Sequence, residues 1–170
     1  MLIRDLAATD LAALRSWFAD EAALIQWGGP DLRFPFDAAQ MGEMPAEGDP
    51  RPSRWLFAGI EDDILAAHAQ VSLDWRHGVA RLARVGLAPS MRGRGLAVPF
   101  LSEVMDRVFR EPAFERLELN VYTFNTAAIR TYKRLGFVPE GVRRAAVKVG
   151  SARWDTAMFG LLRPELKSAA

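Results

Sequence analysis

Arg92-Gly93-Arg94-Gly95-Leu96-Ala97 is a run spaced to hold an anion. It follows a strand-like stretch, Arg81 to Leu87, closed by Pro89, and it opens onto helical spacing from Leu96 to Phe109. Strand, glycine loop and helix in that order leave N–H groups unpaired at the helix N-terminus. The helix dipole adds partial positive charge at the same place. Glycine lets phosphate oxygens reach those amides, where a side chain would hold them off. The chemistry suggested is capture of a phosphate or pyrophosphate. Such loops also make plain strand-to-helix turns, so a second signal is needed. The chain has no G-x-x-x-x-G-K-[ST], and Val98 stands where the last glycine of a G-x-G-x-x-G would fall.

The flanking elements must position that loop. Leu2 to Leu6 reads as a short strand, and Thr9 offers an N-cap for a helix over Asp10 to Phe18, with Leu11, Leu14, Trp17 and Phe18 on one stripe. A second helix is expected over Asp20 to Trp27, ended by Gly28-Gly29-Pro30. A third, capped by Asp37, is expected over Ala38 to Met44, and Pro45 to Ser53 reads as a surface loop. Trp55–Ile60, Ile64–Leu73 and Val79–Leu87 read as an antiparallel meander. Pro99 lies within the helix expected over Leu96 to Arg110, removes an N–H and crowds the Gly95 carbonyl, so a distorted or delayed first turn is expected. Arg116 to Tyr122 alternates strictly as a strand. Asn125-Thr126 caps a helix over Ala127 to Leu135 that Gly136 ends. Phe137 to Glu140 leads into Val142–Val149, which pairs with Trp154–Leu162 as a terminal hairpin. The expected fold is a single α/β (α+β) domain over residues 1–170, with a mixed sheet.

Composition narrows the function. At 170 residues, half of them hydrophobic and a quarter charged, the chain suits one soluble domain. It has no apolar run of membrane-spanning length, and Met1-Leu2-Ile3-Arg4-Asp5 starts no signal peptide. With no cysteine, a thiolate nucleophile, a disulfide framework and a Cys-based zinc site are excluded, which fits a cytoplasmic protein. His68 and His77 are the only histidines, too few for a His-rich metal site. Residues 1–63 carry 5 Lys/Arg against 12 Asp/Glu, and the remainder 17 against 9. A basic part bearing the anion loop beside an acidic part suggests two ligands of opposite charge, or an uneven scatter of surface charge. No dense basic run with interleaved aromatics points to nucleic acid.

The loop resembles the acetyl-CoA loop of the GNAT N-acetyltransferase superfamily, [QR]-x-x-G-x-[GA], read here as Arg92-Gly93-Arg94-Gly95-Leu96-Ala97. Downstream, Leu119 to Phe137 is similar to that family's second signature, a strand followed by N-x-x-A-x-x-x-Y-x-x-x-G-F. Asn125, Ala128, Tyr132 and Gly136-Phe137 fill it. Glu140-Gly141-Val142-Arg143 with Asp155-Thr156 is similar to a pattern of the branch holding ribosomal-protein N-terminal and polyamine acetyltransferases. The likeness covers residues 54–162 well, as sheet and cofactor-binding core, and residues 1–53 loosely, as a helical acceptor-side region.

The resemblance implies a mixed, mostly antiparallel sheet whose strands four and five splay to admit acetyl-CoA as co-substrate. Val85 and Leu87 would pair with its pantetheine arm. The amides of Gly93, Arg94, Gly95, Leu96 and Ala97 would take the pyrophosphate, with Arg92 adding charge. Asn125 would contact the cofactor from strand five, and Lys133 or Arg130 would reach an outer phosphate. Tyr132 would be the general acid to the departing thiolate, and its bland alternative is a half-buried core aromatic. The acceptor would be a small-molecule or peptide amine, with no metal, nucleic acid or membrane involved. The terminal hairpin offers an edge for a homodimer. A non-catalytic CoA sensor stays open as an alternative, because the run from Arg81 to Leu87 lacks the carboxylate that many relatives place there. Glu118 reads as a carboxylate paired with nearby arginines or as a base acting through water, His68 as a structural histidine or a base, and Asp74 as a further option; attack without a dedicated base stays open too. Trp17, Trp27, Phe34 and Phe36 read as core or as an acceptor pocket.

Overall fold

The computed structural model describes residues 1–41 and 51–166. In chain order it holds β1 (Leu2–Asp5), a 3-10 turn (Ala8–Asp10), α1 (Leu11–Arg15), α2 (Glu21–Gly28), a second 3-10 turn (Ala38–Met41), β2 (Arg54–Glu61), β3 (Ile64–Asp74) and β4 (Val79–Leu87). A third turn (Pro89–Met91) precedes α3 (Ala97–Arg110), β5 (Arg116–Tyr122), α4 (Thr126–Arg134), β6 (Val138–Val149) and β7 (Ala152–Leu162). The strands form one sheet in the order β1-β2-β3-β4-β5-β7-β6. Every neighbouring pair is antiparallel except β4 with β5, which run parallel. This is the mixed, mostly antiparallel sheet that the sequence led us to expect.

Helices cover both faces of the sheet. On one face α3 buries Phe100, Leu101, Val104, Met105, Val108 and Phe109, a stripe recurring every three to four residues. These pack on Val71, Leu82, Leu117 and Leu119, and Tyr132 and Phe137 join the same cluster. Fully burying one such side chain contributes about 1.5–3 kcal/mol. On the other face Leu14, Trp17, Leu24, Leu32 and Phe36 pack on Ala58, Ala66 and Met91. Because both faces are covered, β3 is buried without a break from Leu65 to Val71.

Four local expectations are refined. The first helix is shorter and tighter than Asp10 to Phe18, with a 3-10 turn leading into α1. Asp10, not Thr9, closes its start: the carboxylate accepts from the Ala7 N–H at 2.7 Å and is bracketed by the Arg4 guanidinium at 2.6 and 2.9 Å. α3 starts at Ala97, one residue late, so Pro99 falls in its first turn, among positions whose N–H has no helical partner. The first regular bond follows at once, from Phe100 N–H to the Leu96 carbonyl at 3.2 Å. Asp37 caps its turn as expected, accepting from the Gln40 N–H at 3.1 Å. The described part of that turn is 3-10, however, and residues 42–50 lie outside the described residues. Finally, β6 takes in the predicted lead-in as one strand, with irregularities at Pro139/Gly141 and Arg143/Val147 that absorb the mismatch with β7.

Candidate active site

The parallel pairing of β4 and β5 is brief. It joins Val79 to Arg116, Ala80 to Leu117, Arg81 to Glu118 and Leu82 to Leu119, and then stops. Beyond Leu82 and Leu119 the strands part, which leaves a fork in the middle of the sheet. A bulge in β4 helps to open it, because Ala83 opposes Gln70 and Gly86 opposes His68, so one residue of β3 faces two of β4. Arg84 sits in that bulge with φ +48°, in the left-handed region. Leu82, Val85 and Leu87 pack toward α3, and that spacing registers the extra residue.

The backbone at the fork is turned inward to it. Ala88 donates its N–H to the Ala66 carbonyl at 2.9 Å, so in an antiparallel ladder Leu87 presents its own N–H and C=O to the opposite side, toward β5. The Arg92 Nε–H donates to that Leu87 carbonyl at 3.2 Å. Gly93 and Gly95 adopt φ +74° and +76°, and a side-chain carbon at either would meet nothing within 4 Å. These two glycines are required by backbone conformation, and the loop surface is open above them. Among the described residues, no hydrogen bond engages the N–H groups of Gly93, Arg94, Gly95, Leu96 or Ala97. The donor set therefore fits a phosphate-bearing group.

Across the fork, α4 starts at Asn125, whose side chain accepts from the Ala128 N–H at 3.2 Å. Half of that amide thus serves as a helix cap, and its NH2 has no partner among the described residues. Tyr132, one turn beyond Ala128, is buried and meets Phe137 nearly edge-on at 5.9 Å between centroids. Its hydroxyl makes no hydrogen bond to a described residue, and burial pushes its pKa up, which keeps the phenol protonated. Lys133 and Arg130 are exposed on the outer face of α4.

The base candidates separate clearly. Glu118 accepts from Arg81 at 2.5 and 2.8 Å and from Arg116 at 3.3 Å, and Arg116 also holds Glu140 at 2.8 Å. That carboxylate belongs to an ion-pair network. Asp74 accepts from the His77 N–H at 3.0 Å, at the end of the hairpin away from the fork. His68 is fully buried, and its Nδ1 lies 2.9 Å from the Phe57 carbonyl. A carbonyl only accepts, so Nδ1 carries the proton, while Nε2 has no partner among the described residues. Burial depresses the His68 pKa to about 4, so the ring is neutral at pH 7. Asp155 accepts from the Ala145 N–H at 2.7 Å and shapes the β6 irregularity. No group of three or more His, Asp or Glu among the described residues is arranged to hold a metal ion.

On the α1–α2 face of the sheet, Trp27, read from the sequence as core or as an acceptor pocket, contacts the bulge of β4. Trp27 Nε1–H donates to the Arg84 carbonyl at 2.7 Å and ties α2 to the bulge. The same indole lies over Gly86, where a side-chain carbon would come within 3.1 Å of it. Trp27 thus serves the packing and the fork together. At the end of β5, Tyr122 and Phe124 lie parallel at 5.6 Å, each 4.9 Å from Trp154. Arg84 breaks the alternation of its strand, the one trace of the bulge in the sequence.

Comparison with known proteins agrees with this geometry. Residues 12–137 match the Acetyltransferase (GNAT) family. An SPbeta prophage-derived N-acetyltransferase of Bacillus subtilis, YokL, is 29% identical over 138 residues, spanning 80% of this chain and 77% of that protein. Streptothricin acetyltransferase of Streptomyces lavendulae is 30% identical over 126 residues, 74% of this chain and 66% of that one. Among solved structures, spermidine N-acetyltransferase from Vibrio cholerae, in complex with CoA and spermine, superposes with a TM-score of 0.78 at 17% identity, covering 96% of each chain. The ribosomal-protein-S18-alanine N-acetyltransferase of Escherichia coli gives 0.72 at 22% identity, over 99% of this chain and 96% of its own. A sheet forked between its parallel strands, an open glycine loop at the mouth of that fork, and a family match over most of the chain lead to one conclusion: this chain belongs to the acetyltransferase (GNAT) family.

Proposed function

We propose that this chain is an acetyl-CoA-dependent N-acetyltransferase that moves an acetyl group to a primary amine of a small molecule or peptide. The observation that carries this reading is the fork: β4 and β5 part after Leu82 and Leu119, and unbonded loop amides stand at its mouth. Acetyl-CoA, when bound, supplies the thioester. The N–H groups of Gly93, Arg94, Gly95, Leu96 and Ala97 bind its pyrophosphate, and Arg92 adds charge. Val85 and Leu87 offer backbone to the pantetheine arm, Asn125 offers its NH2 from the other side, and Lys133 reaches an outer phosphate.

In this reading the Leu87 N–H stabilises the negative charge that develops on the carbonyl oxygen as the amine attacks. The C–N bond forms and the C–S bond breaks; Tyr132 gives its proton to the leaving sulfur, and the proton lost from the amine nitrogen passes through water to restore the phenol. Residues 1–53 frame the acceptor side and residues 54–162 hold the cofactor. The outer edge of β6, the last strand of the sheet, is where a homodimer would add.

Thiol release from acetyl-CoA in the presence of an amine panel (a peptide N-terminus, spermidine, an aminoglycoside, an amino acid) tests the reading. Release that depends on one of these amines is the expected result. CoA binding by calorimetry without transfer to any of them would instead leave a CoA-sensing module.

A further inference from the structure

The glycine loop leads into α3, so a cofactor held there enters the fork from the α3 side and leaves the α1–α2 face to the acceptor. On that face the end of β5 carries a cluster of rings. Leu117, Leu119 and Val121 pack in the α3 core, so alternation turns Tyr122 to the opposite face. Counted from the last pair, Leu82 with Leu119, and allowing one residue for the bulge, Tyr122 stands level with Gly86 of β4. Trp27 lies over Gly86, so one ring from each side flanks the mouth. Asp31, four residues after Trp27, acts electrostatically on both Tyr122 and Arg84, which agrees with a place at the same mouth.

Beyond Tyr122 the cluster opens outward. Phe124 lies parallel to Tyr122, within 2° and at 5.6 Å, and is 48% exposed. Trp154 of β7 meets both rings edge-on, at 77° and 4.9 Å. Backbone and side-chain bonds hold this arrangement. Thr123, between the two stacked rings, donates its N–H to the Asp155 carbonyl at 3.1 Å. The Asp155 carboxylate accepts from the Ala145 N–H at 2.7 Å, and Arg153 Nη1 donates to the Ala145 carbonyl at 3.3 Å. Ala145 is thereby kept at φ +49°, a strained conformation of the kind that clusters at functional sites. Both chain neighbours of Trp154 thus fix the hairpin beside it.

We propose that Tyr122, Phe124 and Trp154 form the specificity wall of the acceptor subsite, and that the acceptor they select carries an aromatic ring beside its primary amine. The assignment rests on the transferase reading above and names the acceptor class for it. A ring laid on the open face of Phe124 extends an existing parallel pair and meets Trp154 at its edge, the two arrangements aromatic rings prefer. The same faces could take a cation, and the charge of the hairpin decides between the two. Tyr122 pairs with Thr156 and Thr156 with Arg143 in one row across the sheet, and Arg143 and Arg153 are both exposed. A second ammonium would meet that positive charge, whereas an uncharged ring would not.

The test is kcat/KM of the full chain at saturating acetyl-CoA for 2-phenylethylamine, n-propylamine and spermidine, in wild type, Phe124→Ala, Phe124→Tyr and Trp154→Leu. Wild type should prefer 2-phenylethylamine to n-propylamine by about tenfold or more, the worth of a ring taken out of water, and should use spermidine less well than 2-phenylethylamine. Phe124→Ala should lower the ring preference about tenfold, Phe124→Tyr should keep it, and Trp154→Leu should lower it as Phe124→Ala does. Phe124 is exposed, so the Phe124 pair decides the matter should Trp154→Leu not fold. Three results overturn the specificity wall and leave the transferase reading standing: a wild type indifferent to the ring, spermidine ahead of 2-phenylethylamine, or equal losses for both monoamines in Phe124→Ala. Thiol release with another amine of the panel but none with 2-phenylethylamine does the same. No release with any amine overturns both.

Discussion

Arg92 Nε and the Leu87 carbonyl stand 3.2 Å apart, so the first side chain of the glycine loop closes onto the strand edge that precedes it. A pantetheine arm pairing with Leu87 would compete for that carbonyl, and a pyrophosphate at the loop would draw the guanidinium away from it. Arg92→Ala should weaken CoA binding about ten- to hundredfold, the worth of one charge-assisted hydrogen bond. It should leave unchanged, or improve, the binding of S-acetyl-N-acetylcysteamine, which keeps the thioester arm and lacks phosphate. Calorimetry with both ligands separates the two effects. Equal losses would mean that Arg92 acts by holding β4 and not by meeting phosphate.

Gly95 makes a second prediction, because its environment divides strain from crowding. Nothing lies within 4 Å of an added side-chain carbon, yet φ is +76°. Gly95→Val should therefore cost about 1–2 kcal/mol in denaturant unfolding through backbone strain alone, whereas Gly95→Asn, tolerant of that region, should cost less than about half as much. A valine variant as stable as wild type would contradict the left-handed loop.

How much of this site the sequence discloses depends on whether a feature is local. The glycine loop, the Asn125 cap and the strict alternation from Arg116 to Tyr122 are each written in consecutive residues, and the structure has them where the spacing puts them. The fork is different. Between Val79 and Leu87 only Arg84, which breaks the alternation, hints at the bulge, and nothing there says that pairing with β5 ends at Leu82; the Trp27 bond to Arg84 comes from 57 positions away. The pairing of Glu118 with arginines is legible, whereas the role of Asp10 is not. Glu118 pairs with Arg81 from the neighbouring strand and with Arg116 of its own, and Asp10, in the turn after β1, is held by Arg4 of that strand. Pro99 reads as an irregularity along the chain and fits comfortably once the helix begins one residue later.

His68 predicts a pH dependence of stability. Its pKa is depressed to about 4 in the folded chain by burial, against an ordinary value near 6.5. Between those values the unfolded chain binds a proton that the folded chain refuses, so acid favours unfolding and stability rises with pH. The loss sets in as pH falls through about 6.5 and amounts to about 2 kcal/mol by pH 5. Asp10 and Glu140 are held below the usual carboxylate range by Arg4 and Arg116, so their losses come at lower pH. Urea unfolding of wild type and His68→Gln between pH 7 and 5 isolates the effect. The wild-type curve should slope and the glutamine curve should be flat. Parallel curves would show that the ring is not sealed.

Tyr132 offers the sharpest division between packing and chemistry. Its ring lies in the core against Phe137, while its hydroxyl bonds to no described residue. Tyr132→Phe should therefore keep the fold, with a stability change under about 1 kcal/mol, and keep CoA affinity within about twofold. Should the phenol protonate the leaving sulfur, kcat falls about a hundredfold or more in the same variant. Burial raises the phenol's pKa, so the proton stays in place across the working range and the deficit should be as large at pH 9 as at pH 7. Single-turnover rates at both pH values, alongside CoA calorimetry, read this directly. A variant that loses rate and affinity in equal measure would place Tyr132 among the packing residues and leave the proton of the thiol to solvent.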